Sequence, residues 1–239
     1  MLALALEKLD RNQSRDNVLD IRIYADYPAD IDAVGWVRNF YYPSALIFQA
    51  KPHIEAPSGC WNILNSIKQG YETGADYIIL LEEDVLVRPG FYEHHLNAIN
   101  GQGVLASCGR KDPSHYPLYG PLYTNPCSML RRELIEQLLP HICDDYFSNL
   151  GEYLDRHFES WPTQSQLDDG LIRRVIRQMG GHAAYPDKPV CAHQGFRLYG
   201  KLDLYMNQEV GIEKRIARLR EIISKIRPGE RYARDFEPF

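Results

Sequence analysis

Three features that would point to particular protein classes are missing from this sequence of 239 residues. No apolar run approaches the roughly 18 residues that a membrane-spanning helix needs. The net charge is −5, so the chain carries no excess of positive charge, which argues against a general nucleic-acid binder. No repeat and no low-complexity linker is present, so the composition predicts an ordinary globular protein.

Cysteine is scarce and scattered. The five cysteines are far apart, and none forms a Cys-x-x-Cys pair: Cys60, Cys108, Cys127, Cys143 and Cys191. An odd number of separated cysteines is typical of reduced thiols rather than of a disulfide framework or a zinc site. Residues 1–6 are apolar but have no basic region before them, so they do not resemble a signal peptide. We therefore expect a cytoplasmic protein.

Strand and helix patterns alternate along the chain, which predicts an α/β fold. Alternating or short apolar segments predict strands at 19–24, 45–49, 104–108, 182–185 and 190–193. Helical spacing predicts helices at 31–40, 58–71, 91–99, 128–139 and 168–179. Residues 76–81 are nearly all apolar, which predicts a central strand buried on both faces. Residues 144–166 show no clear period.

The predicted central strand runs directly into three acids, Glu82, Glu83 and Asp84. Ligands of open α/β sheets bind beyond the carboxyl ends of the strands. Adjacent carboxylates repel each other unless a cation neutralises them, and oxygen ligands favour Mg²⁺ or Mn²⁺. Charge alone favours a solvated acidic turn instead, because charged turns are common on protein surfaces.

Two segments resemble the core of the GT-A glycosyltransferases, specifically the family 2-like nucleotide-sugar transferases. They are residues 57–67 (PSGCWNILNSI) and residues 74–85 (GADYIILLEEDV). The resemblance implies a Rossmann-like α/β fold with a mixed, mainly parallel sheet flanked by helices. It assigns the metal to Asp84, and the donor nucleotide-sugar to Asn62, Glu82 and Glu83. Glu at the first two acidic positions departs from the usual Asp-rich motif.

Residues 166–172 (QLDDGLI) resemble the acidic motif that begins a helix in the same family. The resemblance implies that Asp169 or Asp168 accepts a proton from the acceptor hydroxyl in an inverting reaction, and we favour Asp169. The alternative is that Asp168 simply caps the helix. Residues 125–132 (NPCSMLRR) resemble the segment that lines the donor sugar.

Two further positions follow from the same resemblance. Residues 185–195 (YPDKPVCAHQG) resemble the closing segment of the family, in which a histidine completes the metal site, so His193 is the second expected ligand. Asp26 follows a predicted strand at a place where the family keeps an acid near the base or the ribose. The alternatives are a structural histidine and a turn aspartate before Tyr27.

The resemblance covers residues 1–200, which we expect to form one catalytic domain. The chain begins in what resembles the helix after the first strand of the fold, so that strand is either absent or not part of this sequence. Residues 201–239 are expected to form a C-terminal helix and tail packed on the domain. The isoleucine stripe of this helix also allows weak contact with a membrane surface or a partner.

The sequence therefore predicts a metal-dependent glycosyltransferase that uses a nucleotide-sugar, with a UDP-sugar the expected donor and Mn²⁺ or Mg²⁺ the cofactor. The acceptor is a glycan, a lipid or a small molecule that the sequence does not specify. Two alternatives stay open: a non-catalytic relative that binds nucleotide-sugars, and an interaction module for a protein or a membrane.

Overall fold

In the computed structural model, residues 2–12, 20–52, 54–56, 58–110, 123, 127–160 and 165–193 are described. The predicted C-terminal helix and tail at 201–239 lie outside them, as do residues 111–122 and 124–126. The strands are β1 (Arg22–Tyr24), β2 (Leu46–Phe48), β3 (Tyr77–Leu81), β4 (Val85–Val87), β5 (Val104–Cys108), β6 (Cys127–Arg131), β7 (His182–Ala184) and β8 (Cys191–His193). The α-helices are α1 (Leu2–Asn12), α2 (Ile31–Tyr41), α3 (Ser58–Glu72), α4 (Phe91–Ile99), α5 (Arg132–Leu138), α6 (Asp144–Ser148), α7 (Leu150–His157) and α8 (Asp168–Gln178).

The described strands form three sheets, and this confirms a mixed α/β architecture. The largest has the order β3-β6-β5-β7, while β1-β2 and β4-β8 are separate pairs. The pairs β1–β2 and β5–β7 are parallel. The pairs β3–β6, β5–β6 and β4–β8 are antiparallel. The expectation of a mainly parallel sheet is therefore wrong for the described residues, because β6 and β8 return in the opposite direction.

The strand before the acidic cluster was predicted to be central and buried, and this is also wrong. β3 stands at the end of the four-strand order. Tyr77 is 37% exposed, and the other four residues of β3 are half-buried. Within the described residues β3 pairs with β6 alone, so its second edge lacks a neighbouring strand that would cover it.

The main core lies where α3, α5 and α8 pack on the large sheet. Each helix buries residues that recur at helical spacing, as Leu64 and Ile67 do on α3 and Leu171 and Val175 do on α8. Gly70 lets α3 approach the sheet, because a Cβ at this position would lie 2.7 Å from Cδ1 of Ile78. These contacts hold α3 and α8 against the large sheet.

The predicted helix at 128–139 is half wrong, because its first residues form β6 and the helix α5 starts only at Arg132. The unassigned stretch at 144–166 contains α6 and α7. The helix predicted at 58–71 is α3, which ends one residue later, at Glu72. Gly70 is still helical, whereas Gly74 has a positive φ of 83° and follows the last turn.

Candidate functional site

The acidic segment forms a tight turn between two strands. β3 ends at Leu81 and β4 starts at Val85, whose N–H donates to the carbonyl of Glu82 at 3.1 Å. All three residues of β4 are buried, and they hold the neighbouring Asp84 in the interior, where it is only 5% exposed. Glu83 points outward and is exposed, while Glu82 is half-buried. The three acids therefore lie in three different environments.

The two expected metal ligands lie on paired strands. β4 and β8 are antiparallel, with Val85 opposite His193. The backbone of His193 is therefore next to the residue that follows Asp84. The side chain of His193 lies outside the part of the chain that the structure describes, so its assignment depends on this backbone register.

The start of α8 carries the two expected catalytic acids. The residue that caps this helix is Leu167, with no hydrogen bond from its side chain, so the alternative that Asp168 caps it is wrong. Asp168 is 6% exposed. The Asp169 carboxylate forms an ion pair with Arg173, with 3.0 Å between Oδ2 and Nη2. Nε of Arg173 also donates to the Tyr123 carbonyl at 2.6 Å. Arg173 therefore fixes the orientation of Asp169.

Asp168 has a strongly perturbed acidity. Its burial and the charge of Asp169 raise the pKa of its carboxyl to about 7, and the charge of Glu82 adds to this effect. Hydrogen bonds from its own backbone N–H and from the Cys60 thiol lower the pKa and partly offset these effects. The contribution of Glu82 means that the turn after β3 and the start of α8 lie close to each other. A carboxyl that titrates near neutrality is a common feature of catalytic sites.

Two residues that were not predicted complete the surroundings of Asp168. The Cys60 thiol lies 3.8 Å from the Tyr146 hydroxyl, which donates to the Gln166 carbonyl at 2.8 Å. Burial is the main cause that raises the pKa of Cys60 to about 12, so it is a neutral thiol rather than a nucleophile. No sequence signal pointed to this cluster, because its members come from α3, α6 and the segment before α8.

The predicted donor-binding residues Asp26 and Asn62 are neighbours. Nδ2 of Asn62 donates to the Tyr24 carbonyl at 3.0 Å, which ties α3 to the end of β1. Burial raises the pKa of the Asp26 carboxyl, and a hydrogen bond from Asn62 partly offsets this. Cys60 and Asn62 are two residues apart on α3. The first turns of this helix therefore contact both Asp168, one of the two expected catalytic acids, and the predicted donor residues.

A divalent cation fits the chemistry of these side chains, since carboxylates and an imidazole are its usual ligands. Within the described residues, however, no group of three or more His, Cys, Asp and Glu side chains converges on one point. Asp84 is the only expected ligand whose side chain is described. The expected metal site is therefore supported by one buried carboxylate and by the backbone register of His193.

No helix among the described residues combines the length and the apolar character needed to cross a membrane. The candidate site is a group of acids at two segment ends, Glu82 to Asp84 and Asp168 to Asp169, with α3 beside them. Comparison with known proteins adds no assignment, since neither any family model nor any curated protein matches this chain.

Proposed function

We propose that this chain is a metal-dependent glycosyltransferase of the GT-A type that moves a sugar from a nucleotide-sugar, such as a UDP-sugar, to an acceptor hydroxyl. The observation that supports it most is the proximity of Glu82 and Asp168. The two residues are far apart in the sequence, yet the charge of Glu82 contributes to the raised pKa of Asp168. The motifs that carry them were assigned to the donor side and the acceptor side of one reaction.

In this proposal Asp84 and His193 hold Mn²⁺ or Mg²⁺. The burial of Asp84 and the pairing of β4 with β8 support this assignment. When bound, the cation supplies positive charge that stabilises the departing nucleoside diphosphate. Glu82 and Glu83 lie beside it in the same turn and contact the donor.

Asp169 accepts the proton of the acceptor hydroxyl. Its side chain is 27% exposed, so it is accessible to a substrate, and the ion pair with Arg173 keeps the carboxylate in one orientation. Asp168 is buried behind it. A general base on the acceptor side is what an inverting transfer needs, because the acceptor attacks opposite the leaving group. Asp26 and Asn62 contact the nucleoside of the donor.

A thermal-shift experiment tests donor binding. We expect a UDP-sugar with Mn²⁺ to raise the melting temperature, since a ligand at about 100 times its Kd stabilises the native state by about 2.7 kcal/mol. For a domain of this size the shift is about 5–10 °C. EDTA or Asp84→Asn abolishes it, whereas Glu159→Gln, which removes a carboxylate that is 85% exposed, keeps it. No shift with any UDP-, GDP- or ADP-sugar contradicts the proposal.

Turnover is tested separately, by the release of UDP from a donor that binds. We expect Asp169→Asn to lower the rate by about 100- to 10,000-fold, as is typical for the loss of a general base, and to leave the thermal shift unchanged. A wild-type protein that binds the donor but releases no UDP with any acceptor supports the non-catalytic relative instead.

A further inference from the structure

Two cysteines that are far apart in the sequence meet in a smaller core, which β4 and α4 line. Cys127 is the first residue of β6 and Cys191 is the first residue of β8, and these strands belong to different sheets. Both side chains are buried in this core, and their thiols are joined by a hydrogen bond. The fold therefore brings into contact two thiols that the sequence presents as isolated.

Gly109 fixes the spacing of the two cysteines. Its N–H donates to the Cys127 carbonyl at 2.7 Å, and its carbonyl accepts from the N–H of Val190 at 2.8 Å. A Cβ on residue 109 would lie 2.5 Å from Sγ of Cys127 and 3.2 Å from Sγ of Cys191. Both sulfur atoms therefore occupy the space that a side chain at this position would fill. The backbone of one glycine holds the two segments together, and no side chain separates the thiols.

A third buried cysteine nearby faces the other way. Cys108 lies opposite Ser128 in the pairing of β5 with β6. Because side chains alternate along a strand, those of Cys127 and Ser128 point to opposite faces of the sheet. Cys108 accordingly packs in the main core, whereas Cys127 and Cys191 share the smaller one. The geometry therefore selects one pair of thiols.

We propose that Cys127 and Cys191 are a site of reversible oxidation, at which a peroxide converts the two thiols into a disulfide that links β8 to the large sheet. In the first step one sulfur attacks the O–O bond of hydrogen peroxide, which gives a sulfenic acid and one water. The second sulfur then attacks the sulfenic sulfur, so the S–S bond forms and a second water leaves. One peroxide takes up two electrons and both thiol protons, and a dithiol reductant reverses the reaction.

The surroundings of Cys127 indicate how fast each step is. Burial raises the pKa of this thiol, so the attack on the peroxide is slow. The charge of the half-buried Arg110 acts in the opposite direction and favours the thiolate of Cys127, which is the reactive form. The second step is intramolecular between groups already in contact, so it is fast. The site therefore responds to sustained oxidant and does not accumulate the sulfenic acid.

The test uses the full chain, folded in EDTA without any nucleotide-sugar, and hydrogen peroxide as the probe. After incubation the protein is denatured in iodoacetamide, and its peptides are mapped by mass spectrometry. We expect the wild type to lose two of its five free thiols and to give one cross-linked peptide pair that contains Cys127 and Cys191. Cys127→Ala and Cys191→Ala are expected to form no cross-link. Cys108→Ala removes an equally buried neighbour on the other face and is expected to form the cross-link as the wild type does.

The oxidised wild type is expected to melt about 5–15 °C above the reduced protein, because the disulfide lowers the entropy of the unfolded chain. Dithiothreitol reverses this shift, and Cys191→Ala does not show it. The inference is overturned if the folded wild type forms no link between Cys127 and Cys191, if the link forms only in urea, or if the linked protein melts at a lower temperature. A cross-link in a protein without any donor shift supports this inference and contradicts the proposed transferase. A donor shift in a protein that forms no cross-link does the reverse.

Discussion

Replacing Asp168 with Asn is expected to change how the stability of the protein depends on pH. The pKa of this carboxyl is about 7 in the folded chain, mainly because it is buried. An aspartate carboxyl in an unfolded chain has a pKa of about 3.9, so ionising Asp168 costs the folded state about 4 kcal/mol once the pH is above 7. The stabilising effect of the bound proton is complete at pH values below the pKa of the unfolded chain. It is lost as the pH rises through 7.

The measurement is urea unfolding at pH 5 and at pH 8 in EDTA, followed by tryptophan fluorescence. Between these two values the wild type is expected to lose about 3 kcal/mol that Asp168→Asn retains. Asp169→Asn removes the second cause of the raised pKa and is expected to give a smaller change of the same sign. Glu159→Gln controls for the loss of one negative charge at an 85% exposed position. If the stability difference between wild type and Asp168→Asn is the same at both pH values, Asp168 does not titrate with a raised pKa in the folded chain.

Further predictions concern backbone packing and a buried histidine. Gly170→Ala is expected to destabilise the fold by about 1–3 kcal/mol or more, because its Cβ would overlap the Ser165 carbonyl. Gly59 lies on α3 with open space around it, so Gly59→Ala is expected to stabilise this helix by up to about 1 kcal/mol. Thermal unfolding of both variants checks the opposite signs. His95 is fully buried against the Ser107 hydroxyl at 2.6 Å, and burial lowers its pKa to about 3. The stabilising effect of neutral His95 is present above about pH 6.5 and is lost as the pH falls toward 3. His95→Gln is therefore expected to reduce the loss of unfolding free energy between these pH values, and an unchanged loss contradicts this.

The helices α3 and α8 were predictable because each buries several residues at regular helical spacing. α6 and α7 were not, since five and eight residues give too few turns to establish a period. β4 has only three residues and follows a charged turn, so no pattern distinguishes it. The direction of β6 was not predictable either, because its pairing with β3 and β5 is set by tertiary packing.

Some features of the candidate site were likewise predictable from the sequence, and others were not. The acids of both motifs were identified from short sequence patterns, and Asp26 and Asn62 are neighbours in the structure. The environment of Asp168 depends on contacts between residues about a hundred positions apart, such as Cys60. Such contacts are set by tertiary packing and leave no local signal in the sequence. Burial likewise distinguishes Asp84 from Glu83, although the sequence presents them as equals.

In the proposed function, Asp84 and His193 hold a divalent cation that binds the diphosphate of the donor. The most direct test is a crystal structure of the protein soaked with UDP and Mn²⁺, recorded with the anomalous signal of manganese. We expect one anomalous peak in contact with the Asp84 carboxylate and the His193 imidazole, with UDP bound beside it. A structure with bound UDP and no manganese at Asp84, or with manganese at another position, contradicts it.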